Sequence, residues 1–560
     1  MHRQWVIQRT NKDYIDYLSG AAGISPALAQ ILINRGFKGP ESVNAFLNVE
    51  SGRLKDPFEL TGMKEAVRIL EKARSGGVRV LVHGDYDVDG VSSTAILADA
   101  LARSGLSVDY FIPNRFEHGY GFHEECVKKA LISGAGLIIT TDCGITAFES
   151  ARLAKRHGIE LIITDHHEPA RDGDGKPLLP EAASIINPKL NPHEPELSGT
   201  GVAFKVAQAL LGDDALSYLD FAALGTIADL VPLVDENRVI AREGLSLLEN
   251  PLRPSLRALK EVAVVNGREI SARLLCYTLI PRLNAPGRLE DATHAVAFLL
   301  SRDEEEARQG AERLDLINRE RQRIEEALCR EARSRLEREG MGWAIVLAGE
   351  GWHKGVLGIV ASKLTEEFYR PSVVLCTEGD TSKGSARSIP GFDLFQGLTD
   401  LGHLLLGFGG HRQAAGLKLK TDMIAGFRDA LSALVKERAR EFRATLRLDA
   451  DISLREINFN FVRELARLEP FGYGNPEPLL GAKGLEVVSP RVVGSGHVKM
   501  RLRQTRTNYT IDAIGFDMAR MMKGIEENFL VDAAFVPQIN EWEGGRTLQL
   551  NLKGIRPSMA

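Results

Sequence analysis

Acidic and histidine side chains recur directly after short apolar runs in the first half of the sequence. Residues 78–82 lead into His83-Gly84-Asp85-Tyr86-Asp87-Val88-Asp89. Residues 137–141 are followed by Asp142, and residues 161–164 are followed by Asp165-His166-His167. Carboxylate oxygens and imidazole nitrogens are common ligands of divalent cations. The spacing therefore predicts a metal centre assembled from separate segments.

The number of carboxylates indicates more than one cation, because like charges this close repel one another unless positive charge lies between them. Imidazole among oxygen ligands favours Mn²⁺ while allowing Mg²⁺, Fe²⁺ or Zn²⁺. Two such ions polarise a phosphoryl oxygen, generate hydroxide from water, and stabilise the entering and leaving oxygens. The predicted chemistry is phosphoester hydrolysis, and Asp229, in a predicted helical stretch over residues 222–233, joins the set.

Each piece of this pattern has a simpler interpretation when taken alone. Asp85-x-Asp87-x-Asp89-Gly90 resembles the start of a calcium-binding EF-hand loop, but Ile96 occupies the twelfth position, where that loop requires glutamate. Asp142 by itself is explained as a helix cap. The His-His pair and Asp229 are common surface or outer-ligand residues. The occurrence of all the segments together favours metal binding.

The elements around these residues predict an α/β fold. Apolar runs at residues 78–83, 108–112, 137–141, 160–164 and 184–186 alternate with amphipathic helical stretches. This alternation predicts a parallel sheet covered by helices on both faces. Ligands bind at the carboxyl ends of such strands. The metal-ligand candidates are therefore expected to converge there.

The chain of 560 residues is too long for one hydrophobic core, so several domains are expected. We predict an N-terminal helical segment over residues 1–60 and the α/β domain over residues 61–301. A connecting helix rich in Glu and Arg follows over residues 302–339. A second α/β domain over residues 340–440 and a small β-domain over residues 441–560 complete the chain.

The composition limits the cellular setting and the partners. The formal net charge of -5 means that any nucleic-acid surface must be local. Five cysteines without a C-x-x-C pair argue against a disulfide framework or a zinc knuckle and fit a reducing compartment. No signal-like start and no run of about 18 apolar residues is present. A soluble, cytoplasmic protein without membrane contact is expected.

Several basic residues are candidates for binding a phosphate backbone. Arg115, Arg282, Arg288 and Arg387 lie in segments rich in Gly, Pro and Asn, where a guanidinium either grips phosphate or pairs with a carboxylate. The segment 407–411 either brings backbone N–H groups to an anion or forms a tight turn. Residues 497–503 alternate apolar and basic side chains, which predicts a strand with Lys499, Arg501 and Arg503 on one face. That face either tracks a single strand or is simply solvated.

With these residues in place, the sequence resembles the DHH phosphoesterase superfamily and, within it, the bacterial RecJ single-strand-specific exonucleases. The superfamily motifs are matched by His83-x-x-x-Asp87-x-Asp89, Thr141-Asp142-Cys143-Gly144, Asp165-His166-His167 and Ala228-Asp229. The more specific motifs are matched by residues 112–115, 282–288, 385–388, 409–416 and 469–476. The resemblance covers nearly the whole chain, in order.

The resemblance implies roles for individual residues. His83, Asp87 and Asp142 would hold one metal ion, while Asp89, Asp142, His166 and Asp229 would hold the other. His167 would steady the phosphoryl oxygens and Asp165 would orient the histidines, while Asp85 joins these catalytic candidates with its individual role open. The substrate-binding candidates are Arg115, Asn284, Arg288, Ser385, Arg387, Gly410, His411, Lys499, Arg501 and Arg503.

The resemblance also implies an activity and a fold. The fold would be a parallel-sheet DHH core, a second α/β DHH-associated domain and a C-terminal OB-fold barrel. The activity would be 5′-to-3′ hydrolysis of single-stranded DNA to mononucleotides with two Mn²⁺ or Mg²⁺ ions, in repair and recombination beside single-strand-binding protein and a helicase. The alternatives are a DHH enzyme acting on oligoribonucleotides, cyclic dinucleotides or pyrophosphate, and a non-catalytic scaffold that binds single strands.

Overall fold

The computed structural model describes residues 4–558 apart from residues 9, 50, 51, 53, 118, 120, 230, 439–443, 495, 506, 520–523, 543 and 544. The first part of the chain contains β1 (Gln4–Ile7), α1 (Lys12–Ala22), α2 (Pro26–Asn34) and α3 (Pro40–Leu47). Ser25 caps α2 by accepting a hydrogen bond from the Leu28 N–H. Strand β1 pairs in parallel with β12 (Thr445–Leu448), so the segment predicted to be helical also contains a strand.

The first α/β domain is built on a parallel sheet of order β3-β2-β4-β5-β6. Its strands are β2 (Val80–His83), β3 (Val108–Phe111), β4 (Leu137–Thr141), β5 (Glu160–Thr164) and β6 (Ser184–Ile186). Its helices begin with α4 (Met63–Ser75), α5 (Val88–Arg103), α6 (Glu124–Ser133), α7 (Phe148–Arg156) and α8 (Gly199–Leu211). Val80 and Val82 face the core shared with α5, while Leu81 faces the core of α6 and α7. The predicted two-sided sheet is confirmed.

Further helices complete this domain: α9 (Leu219–Ala228), α10 (Asp235–Glu249), α11 (Pro254–Val262), α12 (Ala272–Tyr277), α13 (Leu279–Asn284), α14 (Pro286–Leu289) and α15 (Thr293–Leu300). The helical stretch predicted to reach residue 233 ends at Ala228, with Asp229 in extended conformation at its C-cap. Pro232 accounts for the earlier end, because it has no N–H to donate to the Ala228 carbonyl.

A single helix, α16 (Glu304–Glu339), connects the two α/β domains as predicted. Asp303 caps it by accepting hydrogen bonds from the backbone N–H groups of Glu305 and Glu306. Leu314 and Leu328 on its apolar stripe are buried, the first against the first domain and the second against the next one.

The second α/β domain contains β7 (Ile345–Glu350), α17 (Leu357–Phe368), β8 (Ser372–Glu378), β9 (Thr381–Arg387), α18 (Leu394–Asp400), β10 (Gly407–Gly410), β11 (Ala414–Lys420) and α19 (Ile424–Arg438). Its strand order is β10-β11-β9-β8-β7. Strands β7 and β8 are parallel and the other pairings are antiparallel.

The C-terminal part adds β13 (Ala450–Asp451), α20 (Phe459–Ala466), β14 (Leu480–Val493), β15 (His497–Gln504), β16 (Thr510–Gly515), β17 (Leu530–Trp542) and β18 (Gly545–Pro557). The order β14-β15-β16-β18-β17 closes through a β14–β17 pairing, so the predicted barrel is confirmed. Val498, Met500 and Leu502 are buried, as the alternation in β15 predicts. Helices α1 to α3 share this core, so the two ends of the chain pack together. Within the described residues, no helix is long and apolar enough to cross a membrane.

Candidate metal centre and nucleic-acid interface

The turn between β2 and α5 places the first carboxylates. Asp87 is the N-cap of α5, and its Oδ1 accepts hydrogen bonds from Asp89 N (3.0 Å) and Gly90 N (3.1 Å). Asp89, in the first turn of α5, is buried and accepts hydrogen bonds from Gly199 N (2.7 Å) and Thr200 N (2.8 Å). The start of α8 therefore holds the Asp89 carboxylate in one orientation.

Asp142 follows β4 in a left-handed backbone conformation, with φ of 61°. Aspartate is among the few residue types other than glycine that adopt this conformation readily. Gly199 allows the close approach of α8, since a Cβ there would lie 2.7 Å from the Asp142 Cβ. The buried Asp142 side chain is thus enclosed by backbone on the α8 side.

Asp165 follows β5 and orients the two histidines after it. Its Oδ1 lies 2.7 Å from His166 N and 2.8 Å from His167 Nδ1, while its Oδ2 accepts a hydrogen bond from Ile145 N (2.8 Å). Burial acts to raise the pKa of Asp165, but the bonds from His167 outweigh it and lower the pKa. Burial likewise acts to lower the pKa of His167, and Asp165 raises it to about 9.

These segments meet at the carboxyl edge of the sheet, as predicted. Among the described residues, three groups have ligand atoms that lie within 4.8 Å of one another: Asp85 with Asp87 and Asp142, Asp89 with His166 and Asp229, and Asp142 with His166 and His167. His166 Nε2 lies 3.0 Å from Asp142 Oδ1, and His166 Nδ1 lies 3.6 Å from Asp229 Oδ2. Asp142 and His166 therefore link two adjacent candidate metal positions.

The electrostatics of the centre fit bound cations. Burial raises the pKa of Asp142 well above its usual range, and the neighbouring Asp89 and Asp87 raise it further. Burial and Asp87 do the same to the pKa of Asp85. Asp85 Oδ1 and Asp142 Oδ1 are buried and accept no hydrogen bond from the described residues, although His166 Nε2 lies close to the latter. Buried acceptor oxygens of this kind suit a divalent cation.

His83 lies apart from the three groups found among the described residues, and Asp85 takes the place beside Asp87 and Asp142. His83 is fully buried at the end of β2, and its Nε2 lies 3.1 Å from the Gly121 carbonyl oxygen. Its ring also contacts Phe111 and Phe122. The ligand role of His83 stays a prediction.

A cavity of about 430 Å³ lies between the first domain and β9 and β11 of the second. It brings together five of the predicted substrate-binding residues: Arg115, Ser385, Arg387, Gly410 and His411. Arg387 donates to Ser385 Oγ (3.1 Å), and burial together with Arg115 lowers the pKa of its guanidinium. Two like charges facing one cavity favour an anion between them.

Other predicted residues lie elsewhere or already have partners. Asn284 Oδ1 accepts a hydrogen bond from Val88 N (3.1 Å) at the start of α5. Burial, Arg115 and Arg321 lower the pKa of Arg288 to about 10. Arg282 pairs with Asp315 (2.8 Å), so the carboxylate-pairing interpretation holds for that residue.

The basic face of β15 is narrower than its sequence indicates. Arg503 forms a two-pronged ion pair with Glu486, with one N–O distance of 3.0 Å. Arg501 is exposed but lies opposite Asp512 in the neighbouring strand. Lys499 lies opposite Ile514, and Arg506, at the end of the basic stretch, lies outside the described residues. Lys499 and Arg501 are the better placed candidates for contacting a strand.

Four residues at the cavity and at the turn after β2 were not singled out from the sequence. The Arg115 guanidinium lies 5.1 Å from the ring centre of Tyr86, and burial and Asp85 raise the pKa of Tyr86 to about 12. Phe116, Lys354 and Lys383 line the cavity beside Arg387. Tyr86 lies between the candidate ligands Asp85 and Asp87 in sequence, and this position could have identified it as a residue of the site. Lys354 and Lys383 carry none, because single lysines are common on any surface.

Comparisons with known proteins agree with this architecture. Residues 79–226 match the DHH family N-terminal domain, residues 341–437 the DHHA1 domain and residues 448–554 the RecJ OB domain. The single-stranded-DNA-specific exonuclease RecJ of Bacillus subtilis is 39% identical over 561 residues, covering 98% of this chain and 70% of the relative.

Two solved structures of a Thermus thermophilus protein are also similar. RecJ in complex with Mn²⁺ has a TM-score of 0.85 and 31% identity, covering 100% of this chain and 80% of the other. RecJ in complex with Mg²⁺ has a TM-score of 0.78 and 29% identity, covering 100% of this chain and 79% of the other. The DHH core, the DHHA1 domain and the OB barrel occur here in that order, and this chain belongs to the RecJ family of the DHH superfamily.

Proposed function

We propose that this chain is a single-strand-specific exodeoxyribonuclease that hydrolyses phosphodiester bonds from the 5′ end and releases mononucleotides. The observation that carries this function is the convergence of three groups of carboxylates and histidines, linked by Asp142 and His166, near a cationic cavity whose Arg115 lies over Tyr86. The names of the similar proteins support the substrate, since these relatives are single-stranded-DNA-specific exonucleases. The Mn²⁺ and Mg²⁺ complexes of the Thermus protein support the choice of metal.

Two Mn²⁺ or Mg²⁺ ions would be held by Asp85, Asp87 and Asp142 on one side and by Asp89, Asp142, His166 and Asp229 on the other. When bound, such ions supply hydroxide at neutral pH and charge stabilisation for an in-line displacement at phosphorus. Asp165 holds His167 through Nδ1, so the protonated ring can donate from its other nitrogen to a phosphoryl oxygen.

The cavity beside Arg115 and Arg387 gives the proposed direction of digestion. A terminal 5′-phosphate carries more negative charge than an internal phosphodiester, and two guanidinium groups favour the more highly charged group. Seating that phosphate in the cavity would leave the first internal phosphodiester toward the metals. The closed barrel, with Lys499 and Arg501 on β15, would hold the DNA strand further along.

The presence of the barrel also favours this function over that of a small-substrate DHH phosphoesterase. A dinucleotide or pyrophosphate has no segment to reach the barrel, whereas a long single strand does. A non-catalytic scaffold would not require buried carboxylates with raised pKa values, which destabilise the folded chain in the absence of metal.

The test uses one oligonucleotide labelled at either end, offered single- or double-stranded, with and without Mn²⁺. We expect the 5′ label to be released first as a mononucleotide, from the single strand and only with metal. Release of the 3′ label first would refute the direction. Faster hydrolysis of a dinucleotide than of the long strand would favour the small-substrate alternative.

We further propose that the protein works in the cytoplasm beside a helicase and single-strand-binding protein. An enzyme restricted to single strands needs a supply of unwound DNA, and exposed single strands in cells are coated by such a protein. Repair and recombination are the processes that produce ends of this kind. Co-purification of both partners with the full chain would test this assignment. Loss of the partners on nuclease treatment would show that DNA bridges them.

A further inference from the structure

A loop far from the metal centre in sequence contacts the segment that follows Asp229. This clamp loop, residues 467–476, joins α20 to β14 and contains the motif Glu469-Pro470-Phe471-Gly472-Tyr473-Gly474-Asn475-Pro476. The ligand segment consists of Asp229 and residues 231–234, between α9 and α10, and residue 230 lies outside the described residues. None of the roles described above involves the clamp loop.

The two segments touch through backbone and glycine. Leu233 N donates a hydrogen bond to the Tyr473 carbonyl oxygen (2.8 Å). A Cβ on Gly472 would lie 2.6 Å from Leu233 Cδ1. Gly474 has φ of 72°, and a Cβ there would lie 2.8 Å from Pro232 Cβ and 3.0 Å from Pro232 Cα. A side chain on Gly474 would displace the backbone of the ligand segment, whereas one on Gly472 meets only the side chain of Leu233.

The clamp loop is held at its base by hydrogen bonds. Asn475 is fully buried, and its Nδ2 donates to the carbonyl oxygens of Leu468 (2.7 Å) and Pro470 (2.8 Å). Gly472 N donates to the Asn475 carbonyl oxygen (2.9 Å), which closes the turn. Arg35 holds the end of the loop by donating to the Pro476 carbonyl oxygen (2.6 Å). These bonds fix the base of the clamp loop, while Gly472, Tyr473 and Gly474 at its tip are exposed.

The ligand segment is held from its other side as well. Asn237 Nδ2 donates to the carbonyl oxygens of Glu196 (2.6 Å) and Pro232 (3.1 Å). The Leu233 side chain is buried in the core of the first domain. At the start of the segment, Asp229 N donates to the Gly225 carbonyl oxygen (2.9 Å), and Asp229 Oδ2 lies 3.6 Å from His166 Nδ1. Asp229 is the candidate metal ligand nearest in sequence to Pro232 and Leu233.

We infer that Gly472 and Gly474 are positioning residues for the metal position formed by Asp89, His166 and Asp229. Their close packing on Pro232 and Leu233 fixes how far the Asp229 carboxylate reaches toward His166. A ligand set must be held within about 0.5 Å of its working geometry. This inference rests on the metal centre of the proposed function, and it makes the C-terminal part of the chain a support for that centre.

The test measures Mn²⁺ binding to the full-length chain without DNA, from the paramagnetic resonance signal of free Mn²⁺ during titration. In Gly474→Ala we expect one of the two Mn²⁺ dissociation constants, that of the position formed by Asp89, His166 and Asp229, to rise about tenfold, the lower end of the effect of losing an outer contact to a ligand. The site containing Asp85 and Asp87 should be unchanged. Tyr473→Ala is the matched control, because its side chain is 60% exposed and its backbone carbonyl is retained.

A second variant tests the inference in case Gly474→Ala does not fold. Gly472→Ala meets only the end of the Leu233 side chain, which can rotate, so the chain should fold and show the same selective loss in smaller measure. Adding Leu233→Ala to Gly472→Ala restores the space and should restore Mn²⁺ affinity. Unchanged affinity at both sites in a folded glycine variant, even with a lowered melting temperature, would overturn the inference. Wild-type protein that binds two Mn²⁺ ions but leaves single strands intact would defeat the proposed function alone.

Discussion

Replacing Asp142 by Asn isolates the charge that the two metal positions share. Asp142 belongs to the group with Asp85 and Asp87 and to the group with His166 and His167. Its φ of 61° would strain an alanine, by about 1–2 kcal/mol, but asparagine adopts this conformation readily. Asn also has nearly the same size, so the packing of Gly199 against Asp142 is kept. Any effect of this change should therefore report on charge and ligation.

The expected effect on metal-dependent stability follows from mass action. A ligand present at about 100 times its dissociation constant stabilises the folded state by about 2.7 kcal/mol, so two ions contribute about 5 kcal/mol. Asp142→Asn should lose most of this stabilisation, because one carboxylate serves both positions. The hydrolysis rate should fall at least about 10³-fold, which corresponds to about 4 kcal/mol in the barrier.

Without metal the same variant should be at least as stable as the wild type. Burial, Asp89 and Asp87 raise the pKa of Asp142, so its ionised form is unfavourable in the folded chain at neutral pH. Removing that charge removes the penalty. The assay compares melting temperatures with and without Mn²⁺, together with release of labelled mononucleotide. Asp109→Asn, which alters an exposed carboxylate paired with Arg79, is the matched control. A rise in melting temperature with Mn²⁺ as large in Asp142→Asn as in the wild type would refute the reasoning.

Three further changes test other parts of the structure. Arg387→Met should reduce the preference for 5′-phosphate over 5′-hydroxyl ends about tenfold or more, because a charge-assisted hydrogen bond contributes about 1.5–3 kcal/mol. The measurement is the ratio of the initial rates on the two kinds of end. The same ratio in the variant and the wild type would contradict this prediction. Arg238→Met should lower the free energy of unfolding by about 2–4 kcal/mol in denaturant titrations. The buried guanidinium donates to the carbonyl oxygens of Phe46 (3.0 Å), Leu468 (2.8 Å) and Arg467 (2.9 Å). Leu468 keeps its bond from Asn475, and each of the two orphaned carbonyls costs about 1–2 kcal/mol. Arg242→Met, which loses one long contact, is its control. Burial, Glu269 and Glu477 raise the pKa of Glu469 to about 7, so its bound proton stabilises the fold most below about pH 4.5 and this contribution is lost as the pH rises through about 7. In Glu469→Gln the melting temperature should therefore fall less between about pH 5 and 8 than in the wild type, and identical profiles would contradict the assignment.

The sequence by itself determined the elements and the kinds of residue at the metal centre. The apolar runs at β4 and β5 and the alternation in β15 are local periodicities, so each element was predictable from a few neighbouring residues. The meeting of Asp142, Asp165 and His166 at one edge followed from the parallel sheet, because strand ends of one direction share an edge. The location of the metal centre therefore followed from the predicted elements.

Tertiary structure alone decided which of these residues share a position and which have other partners. Asp85 lies with Asp87 and Asp142 in one group of candidate ligands. Arg282 and Arg503 are paired with acids on other elements, at Asp315 and Glu486. The pairing of β1 with β12 and the contact of the clamp loop with the ligand segment join residues more than 200 positions apart. Such contacts depend on the relative placement of whole domains, which the local periodicity of a sequence does not encode.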